Sequence, residues 1–164
     1  MEHAVSRRHL LFGRTTPIRP PWSVAEEAFL AACNRCQDCL PACPQTILIE
    51  RRGYPEVDFS RGECTFCADC VSACPKKSLA FMDQHTPPWS LQVEVGAGCL
   101  ANRGIYCQGC GDACPTRAIT FANQPGIPKP QLTAQRCTGC GACVSVCPVH
   151  AVKIGFQEGT RHAA

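Results

Sequence analysis

Short apolar tracts recur along the chain, each a few residues after a Cys-Pro dipeptide. Tracts of three or four residues are too short for independent helices and are typical of β-strands. We predict strands after the four Cys-Pro dipeptides, at residues 47–49, 79–81, 118–121 and 151–154. Two more strands are predicted ahead of cysteine-rich segments, at residues 54–59 and 130–133.

One helix is predicted near the N-terminus. Ser23 and Glu26 have the spacing of a capping box, and residues 27–32 have good helix composition and lead directly into Cys33. Residues 91–95, Leu-Gln-Val-Glu-Val, alternate between apolar and polar side chains, as a strand does. Short strands that alternate with helical turns predict a small α+β fold.

A short sequence, Pro-Pro-Trp-Ser, occurs twice, at residues 20–23 and 87–90. The first tryptophan precedes Cys33 by eleven positions, and the second precedes Cys99 by ten. This spacing favours an internal duplication in which Cys99 corresponds to Cys33. Coincidence is the alternative, because the first copy leads into a predicted helix and the second into a predicted strand.

Sixteen cysteines form four clumps, and each clump ends in Cys-Pro. Three clumps have the spacing C-x2-C-x2-C-x3-C-P, which is typical of bacterial ferredoxins and their iron–sulfur clusters. They are Cys33, Cys36, Cys39 and Cys43; Cys64, Cys67, Cys70 and Cys74; and Cys137, Cys140, Cys143 and Cys147. The third clump in the chain is irregular and consists of Cys99, Cys107, Cys110 and Cys114.

Three thiolates so close in sequence converge on one cluster only if the backbone loops around it. We therefore expect positive φ angles at the glycines of these loops, Gly109, Gly111, Gly139 and Gly141. In two-cluster ferredoxins the fourth cysteine of each motif ligates the other cluster. By that family pattern, the expected ligand sets are Cys33, Cys36, Cys39 and Cys74; Cys64, Cys67, Cys70 and Cys43; Cys99, Cys107, Cys110 and Cys147; and Cys137, Cys140, Cys143 and Cys114.

Disulfide bonds and zinc sites are two other uses of many cysteines. A secreted disulfide scaffold requires an export signal and does not explain an internal spacing that occurs three times. Four zinc sites would also use sixteen thiolates, but structural zinc sites usually divide their ligands into two separated pairs. Iron–sulfur clusters explain three cysteines within seven residues better than either alternative.

Composition limits the remaining classes. The chain has 164 residues with 14 prolines, 13 glycines and 7% aromatic residues, so a single packed core would be thin and folding is expected to depend on the clusters. The formal net charge of +3 counts thiols as neutral, whereas four oxidised cluster sites would make the protein about −5. No basic stripe, membrane-length apolar stretch or nucleophile with a base is present, so we expect no nucleic-acid binding, no membrane span and no enzyme.

The N-terminus contains Ser6-Arg7-Arg8, followed by three apolar residues. Twin-arginine export signals begin in this way, but Arg14 and the prolines after it interrupt the apolar run that such a signal needs. We therefore expect a cytoplasmic protein. Arg7 and Arg8 are either part of a solvated basic tail or a contact for a partner.

A resemblance to a known family lies in the order of the motifs, the N-terminal Ser-Arg-Arg, the Arg-Pro-Pro-Trp-Ser stretch at 19–23 and Gln131-Leu132. In these features the chain resembles the NapF family of ferredoxin-type accessory proteins of periplasmic nitrate reductase systems. The resemblance implies three [4Fe-4S] clusters, at the three regular clumps, and the four cysteines of the irregular clump leave open whether there are three or four. It also implies a cytoplasmic protein that meets the precursor of the molybdenum-containing catalytic subunit before export. There the protein would assist maturation by handling electrons or clusters, with a redox donor as a second partner. The alternative is an electron-transfer ferredoxin in a respiratory or reductive chain.

The expected organisation is two tandem bacterial two-cluster ferredoxin-like units, with cores organised by the clusters. A basic N-terminal arm covers residues 1–22, and the first unit covers residues 23–86 with the first two clumps. The second unit covers residues 87–157 with the last two clumps, and a C-terminal tail covers residues 158–164.

Overall fold

The computed structural model describes residues 16–81, 87–122 and 125–156, so Arg7, Arg8 and the tail lie outside the described residues. The elements are short and follow one another along the chain. They are α1 (Glu26–Ala32), β1 (Leu48–Arg51), β2 (Tyr54–Val57), α2 (Asp69–Ser72), β3 (Leu91–Val95), α3 (Gly109–Asp112), β4 (Ile119–Phe121), β5 (Pro130–Leu132), a 3₁₀ turn (Ala134–Arg136), α4 (Ala142–Ser145) and β6 (Val152–Phe156).

The strands form three antiparallel two-stranded sheets, β1–β2, β3–β6 and β4–β5. Leu48 lies opposite Val57 in the first sheet, Leu91 opposite Phe156 in the second and Ile119 opposite Leu132 in the third. The mixture of short strands and short helices confirms the α+β class. The longest helix described, α1, has seven residues, and the described part of the chain contains no helix that is long and apolar enough to cross a membrane.

The strand predicted at residues 79–81 is wrong. Leu79 makes only an isolated antiparallel bridge with Ser23. The partner segment cannot extend the pairing, because α1 begins three residues after Ser23.

The predicted capping box is also wrong. Ala25 is the N-cap of α1, and no side chain caps the helix. The Ser23 hydroxyl instead donates to the carbonyl of Pro20 at 2.6 Å. Ser23 is unsuited to capping because it belongs to the bridge with Leu79, two residues before the helix cap.

The two Pro-Pro-Trp-Ser copies occupy corresponding places. The first copy ends at Ser23, which bridges the tract after the second clump. The second copy is followed at once by β3, which pairs with β6, the tract after the fourth clump. The copies also touch, since the N–H of Trp22 donates to the carbonyl of Pro88 at 2.8 Å. This equivalence supports the duplication.

Cysteines form part of the apolar core. One buried cluster contains Phe29, Leu48 and Leu79 with Cys39 and Cys70. Another contains Val93, Ile119 and Val152 with cysteines of the last two clumps. A third cluster, of Ile47, Phe59 and Leu91, lies between the two halves of the chain. The cores therefore pack directly around the candidate sites.

Candidate metal centres

The structure gathers the sixteen cysteines into four sets, which we name sites A to D. Each set takes three cysteines from one clump and one from its partner clump, which is the crossed grouping expected for two-cluster ferredoxins. Site A is Cys33, Cys36, Cys39 and Cys74; site B is Cys43, Cys64, Cys67 and Cys70; site C is Cys114, Cys137, Cys140 and Cys143; site D is Cys99, Cys107, Cys110 and Cys147.

The three regular clumps share a loop with two left-handed residues between their first three cysteines. These residues are Arg35 and Gln37, Phe66 and Ala68, and Gly139 and Gly141. A non-glycine residue in this conformation is strained by about 1–3 kcal/mol, and such strain is typical of functional sites. The loop turns the backbone around the space between the thiols.

Only two of the four loop glycines have the expected positive φ. Gly139 and Gly141 are left-handed, and a Cβ on Gly141 would also overlap the ring of Phe59. The expectation is wrong for Gly109 and Gly111, which lie in α3. Both glycines occupy helical positions of the motif, as Asp69 and Val71 do in α2, whereas the left-handed residues of the regular clumps come earlier.

The second half of every clump has the same geometry. The third residue after the last cysteine is left-handed in all four: Thr46, Lys77, Arg117 and His150, with φ between 49° and 53°. In the last two clumps the following N–H donates to the last sulfur, from Ala118 to Cys114 and from Ala151 to Cys147, at 3.2 Å each. The irregular third clump is thus built like the others in this half.

The inserted residues of the third clump form a helical turn. The N–H of Arg103 donates to the carbonyl of Cys99 at 3.1 Å, and that of Ile105 donates to Leu100 at 2.9 Å. This turn returns the chain so that Cys107 and Cys99 both lie beside Cys110. It also leaves Ile105 and Tyr106 exposed, at 52% and 67%.

Burial makes a set of free thiolates unfavourable. Together with neighbouring cysteine charges, it raises the pKa of Cys70 and Cys143 to about 12. Burial likewise raises the pKa of Cys39, Cys64 and Cys110 to about 11. Four buried thiolates therefore need positive charge between them, which a bound metal group supplies.

The thiols of each site do not converge on one ion. In sites A, B and C, four cysteines line a space that opens to solvent. Across residues 16–81, 87–122 and 125–156, no three Cys, His, Asp or Glu side chains are close enough to hold a single metal ion. Four thiolates around such a space, with N–H groups directed at sulfur, fit a [4Fe-4S] cluster and do not fit zinc.

Sequence reasoning missed two hydroxyl groups beside the sulfurs. The Ser78 Oγ lies 3.2 Å from the Sγ of Cys74, and the Thr116 Oγ1 lies 3.7 Å from the Sγ of Cys114. Burial alone would raise the pKa of both cysteines, but hydrogen bonds from these hydroxyls and from backbone N–H groups lower it overall. The sequence does carry a signal for these contacts, because Ser78 and Thr116 both follow a Cys-Pro dipeptide within a few residues.

Comparison with known proteins agrees with this geometry. Residues 32–79 and residues 105–151 match two different family models, each described as a 4Fe-4S dicluster domain. The chain is 44% identical over 158 residues to the ferredoxin-type protein NapF of Escherichia coli K12, covering 93% of this chain and 95% of the relative. It is 46% identical over 137 residues to that of Haemophilus influenzae, covering 82% and 77%. Two tandem dicluster domains and the binding of [4Fe-4S] clusters are thereby confirmed.

Proposed function

This chain belongs to the family of the ferredoxin-type protein NapF, and we propose that it is a cytoplasmic polyferredoxin that assists maturation of the molybdenum-containing catalytic subunit of periplasmic nitrate reductase before export. The similarity over nearly the whole chain carries this proposal. It includes both dicluster domains and the segments outside them, so it concerns more than shared cysteine motifs.

We assign one [4Fe-4S] cluster to each of sites A, B, C and D, with the four cysteines of each site as its ligands. The assignment to site D is supported by the burial of Cys99, Cys110 and Cys147 in one core cluster. It is also supported by the shared second half of the third clump. Residues 23–86 and 87–157 are proposed as the two units, each with a core organised by its clusters.

The bound clusters would supply one-electron redox chemistry. The chain's own residues hold the thiols together, exclude water from the buried ones and direct N–H groups at sulfur. Cys36 and Cys67 are exposed, so sites A and B face the surface, where a redox donor or the precursor could approach. We assign no catalytic residue, because exchange of electrons or clusters requires only the cysteines.

The precursor contact is proposed for Arg7 and Arg8, which lie outside the described residues. Two neighbouring arginines on a basic arm provide charge for a partner without disturbing the cluster sites. Because Arg7 and Arg8 precede the first core residues of the arm, Ile18 and Pro20, their replacement should leave cluster binding intact.

Affinity capture tests the maturation proposal. The purified holoprotein should retain the precursor of the nitrate reductase catalytic subunit under anaerobic conditions, and Arg7→Ala/Arg8→Ala should weaken this retention. The matched control is Arg51→Ala/Arg52→Ala, an exposed pair of consecutive arginines in the β1–β2 hairpin. If the unaltered holoprotein does not retain the precursor, the maturation proposal is contradicted.

Electron transfer without maturation is the second candidate, and the surface access of sites A and B favours it. A strain that lacks this protein distinguishes the two. If the catalytic subunit matures normally but electron flux to nitrate falls, the protein is an electron carrier. If the subunit lacks its own iron–sulfur centre, the protein is a maturation factor.

A further inference from the structure

The two halves of the chain meet directly at their cysteine loops. The backbone N–H of Cys64, in site B, donates to the carbonyl of Cys140, in site C, at 2.8 Å. These residues are far apart in the sequence and belong to different halves. Sites B and C are therefore neighbours, with one hydrogen bond between their ligand loops.

The surroundings of this hydrogen bond are tightly packed. Phe59, from the first half, is 4% exposed and fills the space that a side chain at Gly141 would need. On the other side, the Trp89 indole N–H donates to the carbonyl of Thr138 at 3.1 Å. The rings of Phe59 and Trp89 lie 5.7 Å apart, edge to face. The two halves are thus held in one arrangement, and apolar side chains cover the contact.

Within each half, the crossed cysteines place the two sites side by side. The third and fourth cysteines of each clump belong to different sites and are four residues apart, a rise of about 6 Å if helical. Two such links join A to B and two join C to D. The pairs are Cys39 and Cys43, Cys70 and Cys74, Cys110 and Cys114, and Cys143 and Cys147.

We infer that the four sites form a single unbranched series, A–B–C–D, and that electrons cross between the halves at the Cys64–Cys140 hydrogen bond. This rests on the proposed assignment of a cluster to each site. An electron from a one-electron reductant enters at one end, passes from site to site and reduces a one-electron acceptor at the other. No bond is made or broken. Exposed Cys36 lies at the A end and exposed Tyr106, next to Cys107, lies at the D end, and site B also reaches the surface at Cys67.

Two variants of the full chain test the order of the sites. The inner-pair variant replaces the first three cysteines of the first and third clumps with serine and keeps sites B and C. The outer-pair variant replaces the first three cysteines of the second and fourth clumps and keeps sites A and D. Each should hold about eight iron atoms per chain.

Electron paramagnetic resonance after dithionite reduction gives the result. The inner-pair variant should show the broadened, split signal of two interacting spins, whereas the outer-pair variant should show two independent signals. Independent signals from an inner-pair variant with its full iron content would overturn the inference.

Hydrogen exchange in the unaltered holoprotein provides a second measurement, which does not require the variants to fold. The Cys64 amide should exchange about tenfold more slowly than a free amide, as one net hydrogen bond requires. Gly141→Ala, whose new Cβ meets Phe59, should remove this protection. Gly111→Ala is the matched control, because its Cβ would lie 2.8 Å from the Phe121 ring within the second half.

A Cys64 amide that exchanges at the free rate in the unaltered protein would also overturn the inference. Neither measurement involves the nitrate reductase precursor. If the order A–B–C–D proves wrong, the maturation proposal is therefore unaffected. If the holoprotein does not capture the precursor, the order of the sites is unaffected.

Discussion

The Ser78 hydroxyl lies 3.2 Å from the Sγ of Cys74, and Ser78 is 2% exposed. When Cys74 is a thiolate, the hydroxyl must donate this hydrogen bond. Hydrogen bonds to cluster sulfurs stabilise the more negative, reduced state and so raise the reduction potential. Site A therefore has a hydrogen-bond donor that raises its reduction potential. This donor acts on Cys74, the cysteine that site A takes from the second clump.

Ser78→Ala should lower the potential of one cluster by about 20–60 mV, the equivalent of one hydrogen bond. Anaerobic titration followed by paramagnetic resonance would measure it. Ser72→Ala is the control, because the exposed Ser72 hydroxyl bonds to the Ala68 carbonyl and to no sulfur. Equal potentials in Ser78→Ala and the unaltered protein would contradict the assigned role of Ser78.

Iron and sulfide analysis decides whether site D holds a cluster. Because all four clumps share the geometry of their second half, we expect about sixteen iron atoms per chain, whereas three clusters would give about twelve. Cys99→Ser should remove about four of them. Cys36→Ser, in a regular clump, serves as the comparison for the loss of one ligand. An unchanged iron content in Cys99→Ser would show that Cys99 is not a ligand.

Removal of iron should unfold most of the described structure. The sheets have only two strands each, with strands of three to five residues, and isolated two-stranded sheets are marginally stable in water. Cluster binding therefore supplies much of the folding free energy. Anaerobic chelation should abolish the far-ultraviolet circular dichroism of the folded protein. A native-like spectrum in the iron-free chain, with a cooperative thermal transition, would contradict this expectation.

Arg19 should be important for kinetic stability. It donates to both carboxylate oxygens of Glu26, at 2.7 and 2.9 Å, and to the carbonyl of Pro55 at 3.2 Å. Its guanidinium also lies 5.0 Å from the centre of the Phe29 ring. Arg19 thereby joins the segment before α1 to the helix and to the β1–β2 hairpin.

Arg19→Ala should speed cluster loss in guanidinium chloride about tenfold, which corresponds to about 1.4 kcal/mol in the activation barrier. The decay of visible absorbance gives the rate. Arg51→Ala should have little effect, because Arg51 is 63% exposed and its ion pair with Glu56 spans 3.7 Å. Equal rates for the two variants would show that the Arg19 contacts do not limit unfolding.

Local sequence signals succeeded wherever neighbouring residues decided the outcome. Residues 91–95 alternate and form β3, and the tract after the fourth clump forms β6. The signals failed where a distant segment intervened. Ser23 is engaged by the bridge with Leu79 and so does not cap α1. The prediction for Gly109 and Gly111 failed for a local reason, because the same motif positions are helical in a regular clump as well, at Asp69 and Val71.

Cysteine spacing alone predicts the metal chemistry, because thiols within a few residues specify how a loop surrounds a cluster, and the family pattern predicts the crossed grouping. Which sites become neighbours across the two halves follows only from the packing of distant segments. The Cys64–Cys140 hydrogen bond lies next to the packing of Phe59 against Gly141. No local pattern encodes that contact, since its strength comes from apolar surface that the two halves bury together.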